Sequence, residues 1–600
     1  EDLTSGAADM ERSGGKLFCC RRVCHRVPVA HREELYHILK MTGPLLLSRI
    51  LNYLLPFVVT MFCGRLGNDV MAGYGLASAT INVTTAATGY GLGLACDTLV
   101  SQTFGAKNLL RVGVILQRGI IILLLFCLPC WGLLINAQAI LLCVGQGPEV
   151  ARIAQLYITA FLPAVPAMFL HHLQVSYLQN QGIILPQMYS AALANIANVV
   201  TNYIFIHWLD LGVGGSAAAN TLSQIYICTF LFAYIWWKRL HVTTWGGWSV
   251  ESLQDWGSYM KLAIPSTLMK CFEWWVYEFG GFFAGMLSEN ELAAQHAVMM
   301  VAVITYMFPL GIQAAACARV GNALGAGDTG RALLTSKMSL TLAGGIAVVE
   351  GLVLGSIKTV IGFVFTSDEK IIGLVSQLMN AYCFLQFFDG LCVCTGIFLG
   401  TGKQKIPAVA NFIGYYCIGL SLSITLTFVA KLRVLGFWLG LLVCVILQST
   451  FYIIIIFKLN WEQITEKFSH CSICWMDCKW GFFPPLFALH DCSVHSISFI
   501  QILHLMDGYM SVSTECQDRG TVVQDRDVTQ KLKGSRLSIT QLILRRGLIM
   551  FAAVALLALG AGVHFLVPLP ETNSTVDSIN TTYTPDQIFS TMLVPDEESE

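Results

Sequence analysis

The chain has 600 residues, 55% of them hydrophobic and only 12% charged, and its 36 basic and 37 acidic side chains almost cancel. Soluble globular chains carry roughly 25% charged residues, so the composition excludes a soluble enzyme, and the balanced charge offers no basic surface for nucleic acid. An integral membrane protein in contact with lipid is expected.

The chain opens with 1–40, which holds Arg12, Lys16, Arg21, Arg22, Arg26, Arg32 and Lys40 and no apolar core of a signal peptide. Apolar blocks of about 20 residues or more, enough for one crossing each, then follow in order. They lie near Met41–Phe62, Val70–Ala95, Val112–Leu134, Val150–Val175, Ile184–Ile206, Ser216–Trp237, Tyr259–Leu287, Leu292–Ala318, Leu333–Ile357, Ile371–Leu399, Ile406–Val429 and Val434–Phe457, with a thirteenth at Leu548–Val567. Their lengths and Gly/Pro punctuation suit helices, not the short alternating strands of a barrel. The predicted fold is therefore an all-α integral membrane protein. Its segments are a cytosolic basic N-terminus 1–40, a six-helix N-lobe 41–237, a linker 238–258, a six-helix C-lobe 259–458, a cytosolic linker 459–547, a thirteenth helix 548–567 and an acidic tail 568–600.

Basic residues orient such a chain with the richer loops inside. Lys107, Arg111, Lys238, Arg239, Arg331, Lys403 and the stretch Lys531–Arg546 then fall in the cytosol, while Lys431 and Arg433 run against the trend. No Lys or Arg follows Arg546, and the tail carries Asn-x-Thr or Asn-x-Ser/Thr acceptors at Asn573 and Asn580. An extracellular, glycosylated C-terminus and a multi-pass plasma-membrane location are expected. Most of the 21 cysteines sit within spans as small hydrophobes. His470, Cys471, Cys474 and Cys478 include one C-x2-C but no second well-spaced pair, so no metal or other cofactor is assigned.

An internal repeat underlies the two lobes. Lys40 and Pro44 open the first span as Lys261 and Pro265 open the seventh, 221 positions on. "LVSQTFGA" (Leu99–Ala106) answers "RVGNALGA" (Arg319–Ala326) at an offset of 220, and Pro186 answers Pro407. Six spans separate the copies, so both halves cross in the same sense about an axis along the membrane normal, an arrangement of transporters with a site near the midplane.

The seventh span holds the densest chemistry, "KCFEWWVYEFGG" (Lys270–Gly281). Charged groups inside a span nearly always face the protein interior or a wet cavity. A carboxylate held away from water can carry a proton or pair with an organic cation, but not both. Glu273 and Glu278 are the candidate exchange acids, with Trp274 and Tyr277 offering π faces to a cation; a structural Lys270–Glu273 pair is the alternative. Asp389, in the tenth span between Gly390 and Gly396, is a third acid. Asn82 and Tyr306 are candidate cavity groups, and Asn195 and Asn198 form, with Asn202, a polar stripe that either lines a cavity or binds helices together. No nucleotide-binding or hydrolase motif is present, so a gradient must supply the energy.

These residues resemble a known family. "GLGLACDTLVSQTFGAKN" (Gly91–Asn108), "GVILQRG" (Gly113–Gly119), "AIPSTLMKCFEWWVYE" (Ala263–Glu278) and "RVGNALGAGD" (Arg319–Asp328) are similar to the vertebrate multidrug and toxin extrusion (MATE) proton-coupled organic-cation exchangers, over roughly Glu33–Trp461 and again near Ser538–Gly547. The resemblance implies two six-helix bundles, alternating access and export of organic cations against protons by a monomeric unit. It also implies that Glu273 and Glu278 match seventh-helix acids and Asp389 a tenth-helix acid. Three departures stand out: Met300 where the pattern has an eighth-helix acid, Arg49 where it has a neutral polar residue, and Lys270 where it has an apolar one. Together they predict altered selectivity, toward zwitterionic or anionic solutes, if Arg49 and Lys270 face the cavity. Two other readings are a lipid-linked oligosaccharide flippase of related architecture, and a membrane-embedded enzyme using His171 or His172.

Overall fold

A backbone in hydrocarbon has no water to bond, so spanning segments close their hydrogen bonds within themselves. The computed structural model, which describes residues 28–365, 368–466 and 538–568, is helical throughout and contains no strand among them. Thirteen long segments succeed one another: α1 (Val29–Leu66), α2 (68–105), α3 (Leu109–Leu134), α4 (148–179), α5 (185–208), α6 (Gly212–Trp237), α7 (Trp256–Leu287), α8 (Glu289–Gly325), α9 (Thr329–Ile357), α10 (Glu369–Gly400), α11 (Lys405–Val429), α12 (Val434–Lys458) and α13 (Ile539–Leu566). Each apolar block predicted from the sequence falls on one of these helices. The sequons at Asn573 and Asn580 and the Cys/His cluster at 470–478 lie outside the described residues.

Nine helices among the described residues are long and apolar enough to cross a membrane, ten if the bent pair in α4 counts as one. α7 is not among them, because Lys261, Lys270, Glu273 and Glu278 interrupt its apolar run. The helices also run further than the apolar blocks: α1 begins at Val29, since its polar first turns find protein partners. α4 bends by 57° between Phe161 and Ala164, where Pro163 interrupts the backbone ladder. α2 widens into a π turn at Asn82–Ala86, and α10 tightens into a 3-10 turn at Gly390–Cys392, directly after Asp389. Such irregular turns inside long helices frequently mark functional positions.

The two largest buried apolar clusters fall one mainly in each half of the chain. One gathers α1–α4, α6 and the first turns of α7; the other joins α7, α8, α10 and α12 with single residues of α9 and α11. The lobes meet where the repeat meets itself. A Cβ on Gly105 of α2 would strike the carbonyl of Asn322 on α8, and a Cβ on Gly325 of α8 would strike the carbonyl of Gln102 on α2. These contacts exchange under the offset of 220, as a two-fold axis between the copies requires. The hydrogen bonds exchange likewise. Gln102 Nε2 donates to the carbonyl of Gly400 at the end of α10 (2.9 Å), and Asn322 Nδ2 donates to the carbonyl of Asn180 at the end of α4 (3.3 Å).

One side chain outside this symmetry reinforces the seal. Glu34, in the first turns of α1, is buried and receives both Arg319 Nε and Nη2 of α8 at 2.6 Å, with Thr335 Oγ1 of α9 donating at 2.6 Å. A bidentate guanidinium–carboxylate pair adds geometric specificity to its energy. α13 stands outside the repeat. A capping box at Ser538 and Gln541 starts it, and Gly560 packs against Gly132 of α3 so closely that Asn136 Nδ2 donates to the Gly560 carbonyl at 2.8 Å.

The seal predicts an asymmetric response to small substitutions. Gly105→Val or Gly325→Val introduces overpacking of about 1–3 kcal/mol into the closed interface only, so thiol labelling of Cys317, buried beside it, is expected to accelerate. Gly344→Ala, whose Cβ meets nothing, should leave the labelling rate unchanged, as read by mass spectrometry.

Candidate functional site

Beyond the seal, toward the opposite membrane face, the lobes enclose a cavity of about 420 Å³. It lies between α1, α2, α4 and α6 on one side and α7 and α8 on the other. Its wall is aromatic and amide-rich, and its charged members are Arg49 and Lys270. Volumes of 300–1,000 Å³ with mostly apolar walls and a few polar groups suit small-molecule ligands.

α7 brings its polar residues to this wall. Lys270 and Glu273, three residues apart, share a helix face. Lys270 Nζ lies 3.0 and 2.8 Å from the two carboxylate oxygens of Glu273, with Lys270 1% and Glu273 8% exposed. Tyr306 of α8 donates its hydroxyl to Glu273 Oε1 at 2.6 Å. The alternative held open from the sequence, a Lys270–Glu273 pair, is thus formed, and Lys270, Tyr306 and Trp274 reach the cavity wall while Glu273 stands behind them. Trp274 stacks on Tyr90 of α2 (5.7 Å, 27°), and Tyr90 in turn lies tilted against His172 (4.5 Å, 39°). Trp275 Nε1 donates to the carbonyl of Val83 (3.1 Å), within the π turn that sets Asn82 on the cavity wall.

The remaining acids separate. Asp389 is half-buried at the α10 break, where the fields of Glu273 and Lys270 reach it, and it makes no hydrogen bond among the described residues. Tyr277 turns inward to the C-lobe core beside Asp389 and Tyr415. Glu278 is exposed and lies off the cavity wall, about 140° of helix from Glu273. Met300 stands at the inter-lobe contact, where its sulfur accepts from Tyr53 OH at 3.5 Å.

The asparagine stripe on α5 serves packing. Asn195 Nδ2 donates to the carbonyl of Leu51 (2.7 Å) and Asn198 Nδ2 to that of Leu55 (3.1 Å), so both amides fasten α5 to α1 and neither is on the cavity wall. Reading the sequence for acids passed over Asp97 of α2, which is buried and accepts from Ser176 Oγ (2.7 Å) and Asn180 Nδ2 (2.6 Å) of α4. Its signal was a carboxylate in the otherwise apolar run Gly91–Val100. Glu350 accepts from Gln386 Nε2 (2.5 Å), a pair between α9 and α10.

The family model MatE matches residues 44–204 and 265–425, two copies 221 positions apart that cover more than half of the chain. The chain belongs to the MATE family. This MATE protein is 45% identical over 566 residues to multidrug and toxin extrusion protein 1 of Danio rerio, covering 93% of the chain and 94% of that relative. Its likeness to the Homo sapiens protein of the same name is 43% over 543 residues, 90% of this chain and 94% of the other. Among solved structures it resembles the eukaryotic MATE transporter AtDTX14 (26% identity, TM-score 0.71, 74% of this chain and all of that one). The Vibrio cholerae MATE transporter VcmN in its bent form shares the fold (17% identity, TM-score 0.62, 75% and 100%). The MATE protein is thus a multi-pass membrane transporter.

Removing one member of a buried ion pair strands the other, at a cost of about 3–5 kcal/mol, whereas replacing both with neutral side chains is far milder. Lys270→Met and Glu273→Gln are each expected to lower thermal stability in detergent, and Lys270→Met/Glu273→Gln to recover most of the loss. Additive losses in the double variant would contradict the pair.

Proposed function

We propose that this MATE protein is a secondary active exchanger that exports small organic solutes, organic cations foremost, in return for protons. Supporting this is one juxtaposition: the Lys270–Glu273–Tyr306 cluster, with Asp389 in electrostatic reach, adjoins a drug-sized cavity closed at one membrane face. The names of its relatives, multidrug and toxin extrusion proteins, agree with that reading. A cavity of about 420 Å³ accommodates a drug-sized solute and is too small for a lipid-linked oligosaccharide.

The exchange follows from competition. Glu273 accepts from Lys270 through both oxygens and from Tyr306 through one. A proton on Glu273 removes the charge that holds Lys270, and a cationic solute in the cavity draws on the same carboxylate. Proton and solute therefore disfavour one another, and reorientation of the lobes carries them in opposite directions. That reorientation must break the Glu34–Arg319 pair and the hydrogen bonds across the seal, those of Thr98 with the Leu399 carbonyl and with Gln404 included. Glu273 and Asp389 serve as proton sites in this scheme, Trp274, Tyr306 and Asn82 as solute contacts, and Tyr277 supports Asp389; Glu278, turned off the cavity, has no part in it.

The orientation that goes with it places 1–40, 238–258 and 459–547 in the cytosol. The tail 568–600, with Asn573 and Asn580, then lies outside the plasma membrane, and one chain forms the transport unit. In reconstituted vesicles, efflux of a small quaternary ammonium ion is expected to follow an imposed pH gradient. Efflux should vanish in Glu273→Gln and fall roughly ten-fold or more in Asp389→Asn, a barrier change of about 1.4 kcal/mol or above. Gradient-driven efflux that persists in Glu273→Gln refutes the assignment.

A further inference from the structure

Arg49 lies midway along α1, where a charged side chain is costly unless it faces protein or a wet cavity. It faces the cavity and makes no hydrogen bond or ion pair among the described residues. The acids that feel it or its neighbour are already committed. Asp97, whose carboxylate senses the Arg49 charge, accepts from Ser176 and Asn180, and Glu273 is held by Lys270 and Tyr306. His171 and His172 of α4 are the other titratable groups within its field. Among the described residues no Asp or Glu is on the wall.

A guanidinium is planar and always charged, and it presents paired donors whose spacing matches two oxygens of a carboxylate. Half-buried at the cavity wall, such a group is left to an acid brought by the ligand. Across the same cavity, Trp274 and Tyr90 stack on one another and both reach the wall, an aromatic surface suited to an ammonium or a ring. We propose that Arg49 is the specificity-determining residue of this cavity and that it selects zwitterionic organic solutes, seating their carboxylate while the aromatic pair takes the cationic end. The proposal rests on the exchanger reading for transport, but not for binding.

The test uses two probes on one aromatic ring: a quaternary ammonium ion, and the same ion with a carboxylate added as a betaine. Binding is measured by titration of the full chain in detergent, and gradient-driven uptake in vesicles. The wild type is expected to bind the betaine at least about ten-fold more tightly than the plain ammonium, the scale of a charge-assisted bidentate contact. Arg49→Gln should abolish that ratio, and Arg49→Lys, which keeps the charge but loses the paired donors, should restore it in part. Equal binding of the two probes by the wild type, or a ratio unchanged in Arg49→Gln, overturns the proposal. A ratio that holds without pH-driven uptake of either probe defeats the exchanger reading and leaves the Arg49 assignment standing; uptake without the ratio does the reverse.

Discussion

The architecture depends on the close approach of α2 and α8 at Gly105 and Gly325. Each glycine lets the backbone of one repeat reach a carbonyl of the other, and no residue with a Cβ fits without displacing that carbonyl. Because the contact is made by equivalent residues, it fixes the axis between the lobes, and the Gln102 and Asn322 amides register the ends of α10 and α4 against it. Everything toward the opposite face, including the shape of the cavity, follows from where this junction holds the lobes. The bonds that close it are mostly single hydrogen bonds of about 0.5–1.5 kcal/mol net, plus the Glu34–Arg319 pair, so the closure is strong in sum and reversible in parts.

On the far side of that junction the chemistry is concentrated in one turn of α7. A helix that spans lipid could not hold Lys270 and Glu273 separately without a large desolvation penalty, and pairing them at 2.8 Å satisfies both. The pair explains how Lys270 and Glu273 survive together in a single span. It also alters the character of the site: Glu273 waits with an internal cation already bound, and the groups that meet the cavity directly are Lys270, Tyr306 and Trp274.

Much of this was legible in the sequence because it rests on periodicity and offset. The apolar blocks marked the thirteen helices, and the repeated Gly-Ala at 105–106 and 325–326 marked the relation between the two halves, though not that they meet there. Face and partner were harder to read. The Asn195/Asn198 stripe is consistent in sequence with a cavity or with packing, and only its bonds to the Leu51 and Leu55 carbonyls decide for packing. Glu278 was an exchange candidate on a different helix face from Glu273, and that face is turned off the cavity. Asp97 lacked a nearby aromatic or basic neighbour in sequence, since its partners Ser176 and Asn180 lie 79 and 83 positions away. Arg49 and Lys270, by contrast, occupy the cavity wall that their departure from the family pattern anticipated.

α13 has a mechanical meaning of its own. It leans on α3 through Gly132 and Gly560, and Arg546 reaches back to the Leu253 carbonyl and the face of Trp256. All these footholds belong to the first half or to the turn that leads out of it. Through these contacts the extra helix is fastened to one bundle. An added apolar helix can thus be held on the outside of a finished repeat by a close glycine–glycine approach and a few polar ties.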